Sequence, residues 1–81
     1  MQPAPVTSVG SAYLPPSFEQ AYAETFDFVW RNAIRLGVPR AWIDDVVQDV
    51  FIVVHRQLPH FEGRSSLTTW VFTILRRTAK D

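Results

Sequence analysis

Apolar positions along the chain recur every three to four residues in three stretches, each bounded by Pro, Gly or Ser. In the first, Phe18, Tyr22, Thr25, Phe26, Val29, Ala33 and Leu36 keep helical spacing. Ser17 precedes this run and Gln20 follows three residues on. That is the pattern of a capping box, in which each side chain accepts the other residue's backbone N–H. Gly37 suits the position just past the last turn, where a left-handed residue commonly closes a helix. The pattern predicts a first helix over about 18–36.

The second stretch is Ile43, Val46, Val47, Val50, Phe51, Val54 and Leu58. Its valines suit a strand, but the spacing is three and four rather than two, and the segment is too long for a typical strand. Pro39 can occupy a first helical turn, which has no use for the N–H that Pro lacks. A helix over about 40–58 follows, and Pro59 closes it. Residues 59–65, Pro-His-Phe-Glu-Gly-Arg-Ser, are a loop. Ser65 or Ser66 can cap a third helix over about 66–80, with Leu67, Trp70, Val71, Ile74 and Thr78 inward. Phe72 lies off that stripe and is expected to pack on the first helix or to meet a partner. Residues 1–17 contain Pro3, Pro5, Pro15 and Pro16 and no periodicity, the composition of a flexible tail. The expected fold is all-α: a compact bundle of three main helices forming one domain over 18–81.

Composition narrows the classes of function. Eighty-one residues bury only about 60 % of their surface on folding. Three Trp, six Phe and two Tyr nevertheless supply a core that a disordered chain lacks. The absence of Cys excludes disulfides, thiolate metal sites and a Cys nucleophile. The first seventeen residues carry no Lys or Arg and no apolar core of a secretory signal. The longest apolar run, Val50 to Val54, is far short of the roughly 20 residues of a membrane span. A cytoplasmic location is expected. The formal net charge is zero, but its distribution is uneven. Up to Val54, Arg31, Arg35 and Arg40 face Glu19, Glu24, Asp27, Asp44, Asp45 and Asp49. From His55 onward, Arg56, Arg64, Arg76, Arg77 and Lys80 face Glu62 and Asp81. An acidic half and a basic half suggest two surfaces for two kinds of partner.

Catalysis finds no constellation. His55, His60 and Glu62 have no metal-ligand spacing, and Ser65 and Ser66 lack the Gly-x-Ser-x-Gly context of a nucleophile. No enzyme activity, metal or cofactor is expected. The outward faces carry more. Asp45, Gln48, Asp49, Ile52 and Arg56 share the face of the second helix away from its apolar stripe. Such a face is ordinarily solvated, but an apolar Ile52 among unmixed carboxylates suits a docking surface. In the loop, Phe61 stands near Arg64, Ser65 and Ser66, the residue types that capture an unstacked base. Equally, Phe61 can plug the core while the serines cap the helix. On the third helix, Thr69, Thr73, Arg76 and Lys80 form an outward stripe with Arg77 beside it, suited to phosphates or to the helix dipole.

The run Asp45-Val-Val-Gln-Asp-Val-Phe51 resembles the D-L-V-Q-E-V-F segment of extracytoplasmic-function (ECF) sigma factors. The likeness continues through Leu58-Pro-x-Phe61, Gly63-Arg-Ser65 and Thr69-Trp-Val-x-x-Ile74, covering conserved region 2 over residues 18–81. The resemblance implies that Asp45, Gln48 and Asp49, with Ile52 and Arg56 beside them, dock on the β′ clamp helices of core RNA polymerase. It implies that Phe61, Arg64, Ser65 and Ser66 hold a flipped non-template base of the −10 promoter element. Thr69, Thr73, Arg76, Arg77 and Lys80 would then lie along the DNA, the three cations near phosphates. An anti-sigma protein is a further partner that family membership allows. A helical module that binds such a regulator without DNA is the alternative. Arg76-Arg77 departs from the family's usual Arg-Asn, and the helix-turn-helix domain that reads the −35 element lies outside these 81 residues. A truncated sigma factor is the expectation.

Overall fold

The computed structural model describes residues 14–80. Most of the tail expected over 1–17 therefore lies outside the described residues, as does Asp81. Helix α1 spans Phe18–Arg35. Ser17 and Gln20 form the expected capping box: the Gln20 N–H donates to Ser17 Oγ at 3.1 Å, and the Ser17 N–H to Gln20 Oε1 at 2.9 Å. At the other end the Gly37 N–H donates to the Ile34 carbonyl and the Val38 N–H to that of Ala33. This is a Schellman closure, and Gly37 takes the left-handed φ of +88° that it requires.

Pro39 precedes the second helix rather than joining its first turn. A 3-10 turn over Arg40–Trp42 leads into α2, Ile43–Gln57, and a second 3-10 turn follows at Leu58–His60. The α-helical part is thus shorter than 40–58 at its N-terminus. Pro59 has no N–H to give and its ring would crowd the carbonyl four residues back, so the chain tightens there instead of continuing. Helix α3 spans Leu67–Lys80.

All three α-helices pack on one another, and no strand occurs among the described residues. Val29, Ile43, Val50, Val54, Val71 and Leu75 are buried in the shared core. Thr25 is buried too, but its hydroxyl donates to the Ala21 carbonyl at 2.7 Å, so no polar atom is stranded. The inner stripes differ from expectation at named positions. Ala21 and Leu75 are fully buried, whereas Tyr22 is 43 % exposed and Leu36 is also exposed. Helix α1 turns Ala21 inward because only a small residue allows close approach, and the larger Tyr22 moves to the seam. Helix α3 contacts both other helices, so its buried face is wide enough to include Leu75 beside Ile74. Phe72 packs edge-on against Phe28 of α1, with centroids 6.0 Å apart. No helix among the described residues is long and apolar enough to cross a membrane.

Candidate functional site

Burial of Ile43, Val47, Val50 and Val54 orients α2 and turns Asp45, Gln48, Asp49, Ile52 and Arg56 to the surface, where all five are exposed. The structure arranges them as a ridge between two depressions. On one side, Gln48, Ile52 and Arg56 border a groove of about 740 Å³ between α2 and α1. Its far wall is Phe18, Tyr22, Phe26 and Trp30, one side chain per turn of α1. Phe51 fills its floor, 4.8 Å from the Tyr22 ring centroid and 6.3 Å from that of Phe26. On the other side, Asp45 and Asp49 border a depression of about 520 Å³ together with Leu36, Val38, Trp42 and, from α3, Lys80. Among the described residues, neither carboxylate has a cation within ion-pair distance.

The loop after the second 3-10 turn is anchored at both ends. Phe61 is only 7 % exposed, and its ring lies on that of Trp70 with centroids 4.7 Å apart. Ser66 caps α3: the Thr69 N–H donates to Ser66 Oγ at 3.1 Å, and the Ser66 hydroxyl donates to Thr69 Oγ1 at 2.8 Å. Ser65 instead donates to the Ser66 carbonyl at 3.2 Å. Between the anchors Gly63 takes a φ of +75°, which lets the chain reverse tightly. The loop surface is a hollow of about 190 Å³ lined by His60, Phe61, Glu62, Arg64, Ser65 and Trp70. Arg64 and Ser65 are exposed on it, while Phe61 and Trp70 form its floor.

Glu62 was not among the residues that sequence reasoning marked for this surface, yet its carboxylate holds Arg64 Nε at 2.9 Å. Both side chains are largely exposed, so the pair is screened by solvent and worth less than about 1 kcal/mol. The pair occupies Arg64 Nε and sets a carboxylate beside the guanidinium, where it opposes the approach of an anion. Replacement Glu62→Gln is expected to tighten binding of a single-stranded oligonucleotide roughly two- to fivefold at low salt, the gain vanishing at high salt. Fluorescence anisotropy across a salt series measures it, and unchanged affinity would remove Arg64 from the contact surface.

The outward stripe of α3 continues from this loop. Thr69 meets the capping Ser66, the Thr73 hydroxyl donates back to the Thr69 carbonyl at 3.1 Å, and Arg76 follows one turn on. Thr73, Arg76, Arg77 and Lys80 line a shallow hollow of about 240 Å³. Lys80, at the end of α3, lines both this hollow and the depression bordered by Asp45 and Asp49 on α2. Sequence reasoning missed Trp42, the aromatic wall of α1 and Glu62. The i,i+4 spacing of Phe18, Tyr22, Phe26 and Trp30 was the signal for the wall. Among the described residues, no three His, Asp or Glu side chains come together as a metal site.

Residues 21–81 match the family described as sigma-70 region 2, and the chain belongs to that family. It is similar to the ECF RNA polymerase sigma-E factor of Escherichia coli strain K12, 43 % identical over 44 residues. That match covers 54 % of this chain and 23 % of the relative. It is also similar to the RNA polymerase sigma factor YlaC of Bacillus subtilis strain 168, 31 % identical over 61 residues. There the match covers 75 % of this chain and 33 % of the relative, so the likeness reaches a quarter to a third of these proteins' lengths. No solved structure matches the chain significantly.

Proposed function

We propose that the chain is the domain of an alternative sigma factor of the ECF type that docks on core RNA polymerase and recognises and melts the promoter −10 element. The observation that supports this most directly is the match to sigma-70 region 2 across residues 21–81. The α2 ridge of Asp45, Gln48, Asp49, Ile52 and Arg56 meets the β′ clamp helices. Exposed carboxylates with no ion pair among the described residues suit basic groups there, and Ile52 supplies apolar contact at the centre.

Arg64, Ser65 and Ser66 receive an unstacked base of the non-template strand above the Phe61–Trp70 floor, and Thr69, Thr73, Arg76, Arg77 and Lys80 follow the phosphates. No bond is made or broken by these residues. Melting draws on binding: a flipped base loses a few kcal/mol of stacking and pairing, which pocket contacts and phosphate neutralisation must offset. In the cell this takes place where the polymerase is, in the cytoplasm.

The test is binding of the 81-residue chain to core RNA polymerase, compared with a variant carrying Asp45→Ala, Gln48→Ala and Asp49→Ala. At least a tenfold loss is expected, because central charged contacts of an interface dominate its affinity. The parent complex should also bind a −10 non-template single strand in preference to duplex. Undiminished polymerase binding by the variant, with equal binding to single strand and duplex, would overturn the proposal.

A further inference from the structure

Trp42 is 62 % exposed, the most exposed aromatic side chain among the described residues. It ends the 3-10 turn ahead of α2 and forms the N-terminal cap position of that helix without a side-chain capping bond. The cap role therefore does not explain it. Asp45 follows three residues on and Asp49 seven, so Trp42 heads the same ridge on the side of α2 opposite the core. Trp42 also lines the 520 Å³ depression, together with apolar Leu36 and Val46 and the charged Asp45, Asp49 and Lys80. A large ring left this far in water contributes little to the stability of the isolated domain.

We propose that Trp42 is the apolar anchor of the docking ridge. On the reading of the ridge as the polymerase-binding face, on which this rests, a helical element of core RNA polymerase seats an apolar side chain against Trp42. That side chain fills the depression toward Leu36 and Val46, and basic residues flanking it pair with Asp45 and Asp49. Charge complementarity sets the chemistry of the occupant, since the lining offers two carboxylates against the single ammonium of Lys80, with apolar Leu36 and Val46 beside them. Continuity with the ridge sets its position, because an element lying along Asp45, Asp49 and Ile52 reaches Trp42 at the N-terminal end of α2. Tryptophan is the side chain most enriched among residues that dominate interface energy, through the area it removes from water.

The experiment measures affinity of the 81-residue chain for core RNA polymerase with Trp42→Ala, Trp42→Phe and the triple variant of Asp45, Gln48 and Asp49. Trp42→Ala is expected to weaken binding by about tenfold or more, and Trp42→Phe by less, since a phenyl ring retains part of the contact. The loss from Trp42→Ala should be nearly independent of salt, whereas that of the triple variant shrinks as salt rises. Because Trp42 is largely exposed, Trp42→Ala should melt within a few degrees of the parent by circular dichroism; Trp42→Gln repeats the affinity measurement with a polar side chain of intermediate size. If Trp42→Ala and Trp42→Gln bind within twofold of the parent while the triple variant fails to bind, the anchor is overturned and the ridge stands. If all variants bind like the parent, both assignments are overturned.

Discussion

Replacing Phe51 by Ala is expected to destabilise the domain by about 3 kcal/mol or more, lowering its melting temperature by more than ~12 °C. Phe51 is the residue of α2 whose ring meets three aromatic side chains of α1. Its ring lies within aromatic distance of Phe18 at 6.4 Å, Tyr22 at 4.8 Å and Phe26 at 6.3 Å. Truncation removes both the buried area of the ring and three ring contacts, each worth about 0.5–1.5 kcal/mol beyond area. The range for Phe→Ala in cores is about 3–5 kcal/mol, and the geometry here selects its lower end. Tyr22 is 43 % exposed and borders the groove, so it can turn inward and fill part of the space. A domain of this size has a total stability of only roughly 4–12 kcal/mol, so the variant is left with a small margin. Thermal unfolding followed by circular dichroism decides the matter. A shift below ~4 °C would mean that the groove floor is not part of the cooperative core.

That aromatic seam also marks how far the sequence alone reached. Ends of elements were legible wherever one local interaction determines them: the Ser17–Gln20 box and the Gly37 closure each depend on residues within a turn. The ridge on α2 was legible for the same reason, since a single helix has only one side opposite its core. What escaped depends on pairs of helices. The identity of Ala21 as a fully buried residue follows from how closely α1 meets its neighbours, and hydropathy cannot separate it from an exposed alanine. Leu75 is buried because α3 packs against two helices at once, which no single-helix stripe reveals. Likewise Gln48 and Asp49, adjacent on one predicted face, border different depressions because α1 lies along one side of α2 and the C-terminal end of α3 along the other. Trp42 was hidden by its chemistry: a tryptophan is expected inside, and only the backbone placed it on the ridge.

Phe61 offers the sharpest separation between a core role and a DNA role, because the two make opposite demands on the same side chain. The ring is 7 % exposed and lies on Trp70, so Phe61→Ala should cost about 3 kcal/mol of stability and loosen the loop from 61 to 66. Loosening is expected because Ser66 would then be the remaining anchor, leaving Arg64 and Ser65 on an untethered segment. Hydrogen exchange should show faster amide exchange across the loop, and affinity for a −10 single strand should fall with it. Phe61→Leu distinguishes the cause. Leucine keeps most of the apolar volume, so stability should drop by less than about 1.5 kcal/mol and the loop should stay ordered. If the ring only supports the loop, single-strand binding by Phe61→Leu should remain within about twofold of the parent. If instead the ring stacks on a base, the same variant loses ~1–3 kcal/mol of binding, a fall of about fivefold to more than a hundredfold with stability preserved. Burial against Trp70 favours the first outcome, since a ring with so little free face has none to offer a base unless the floor itself opens.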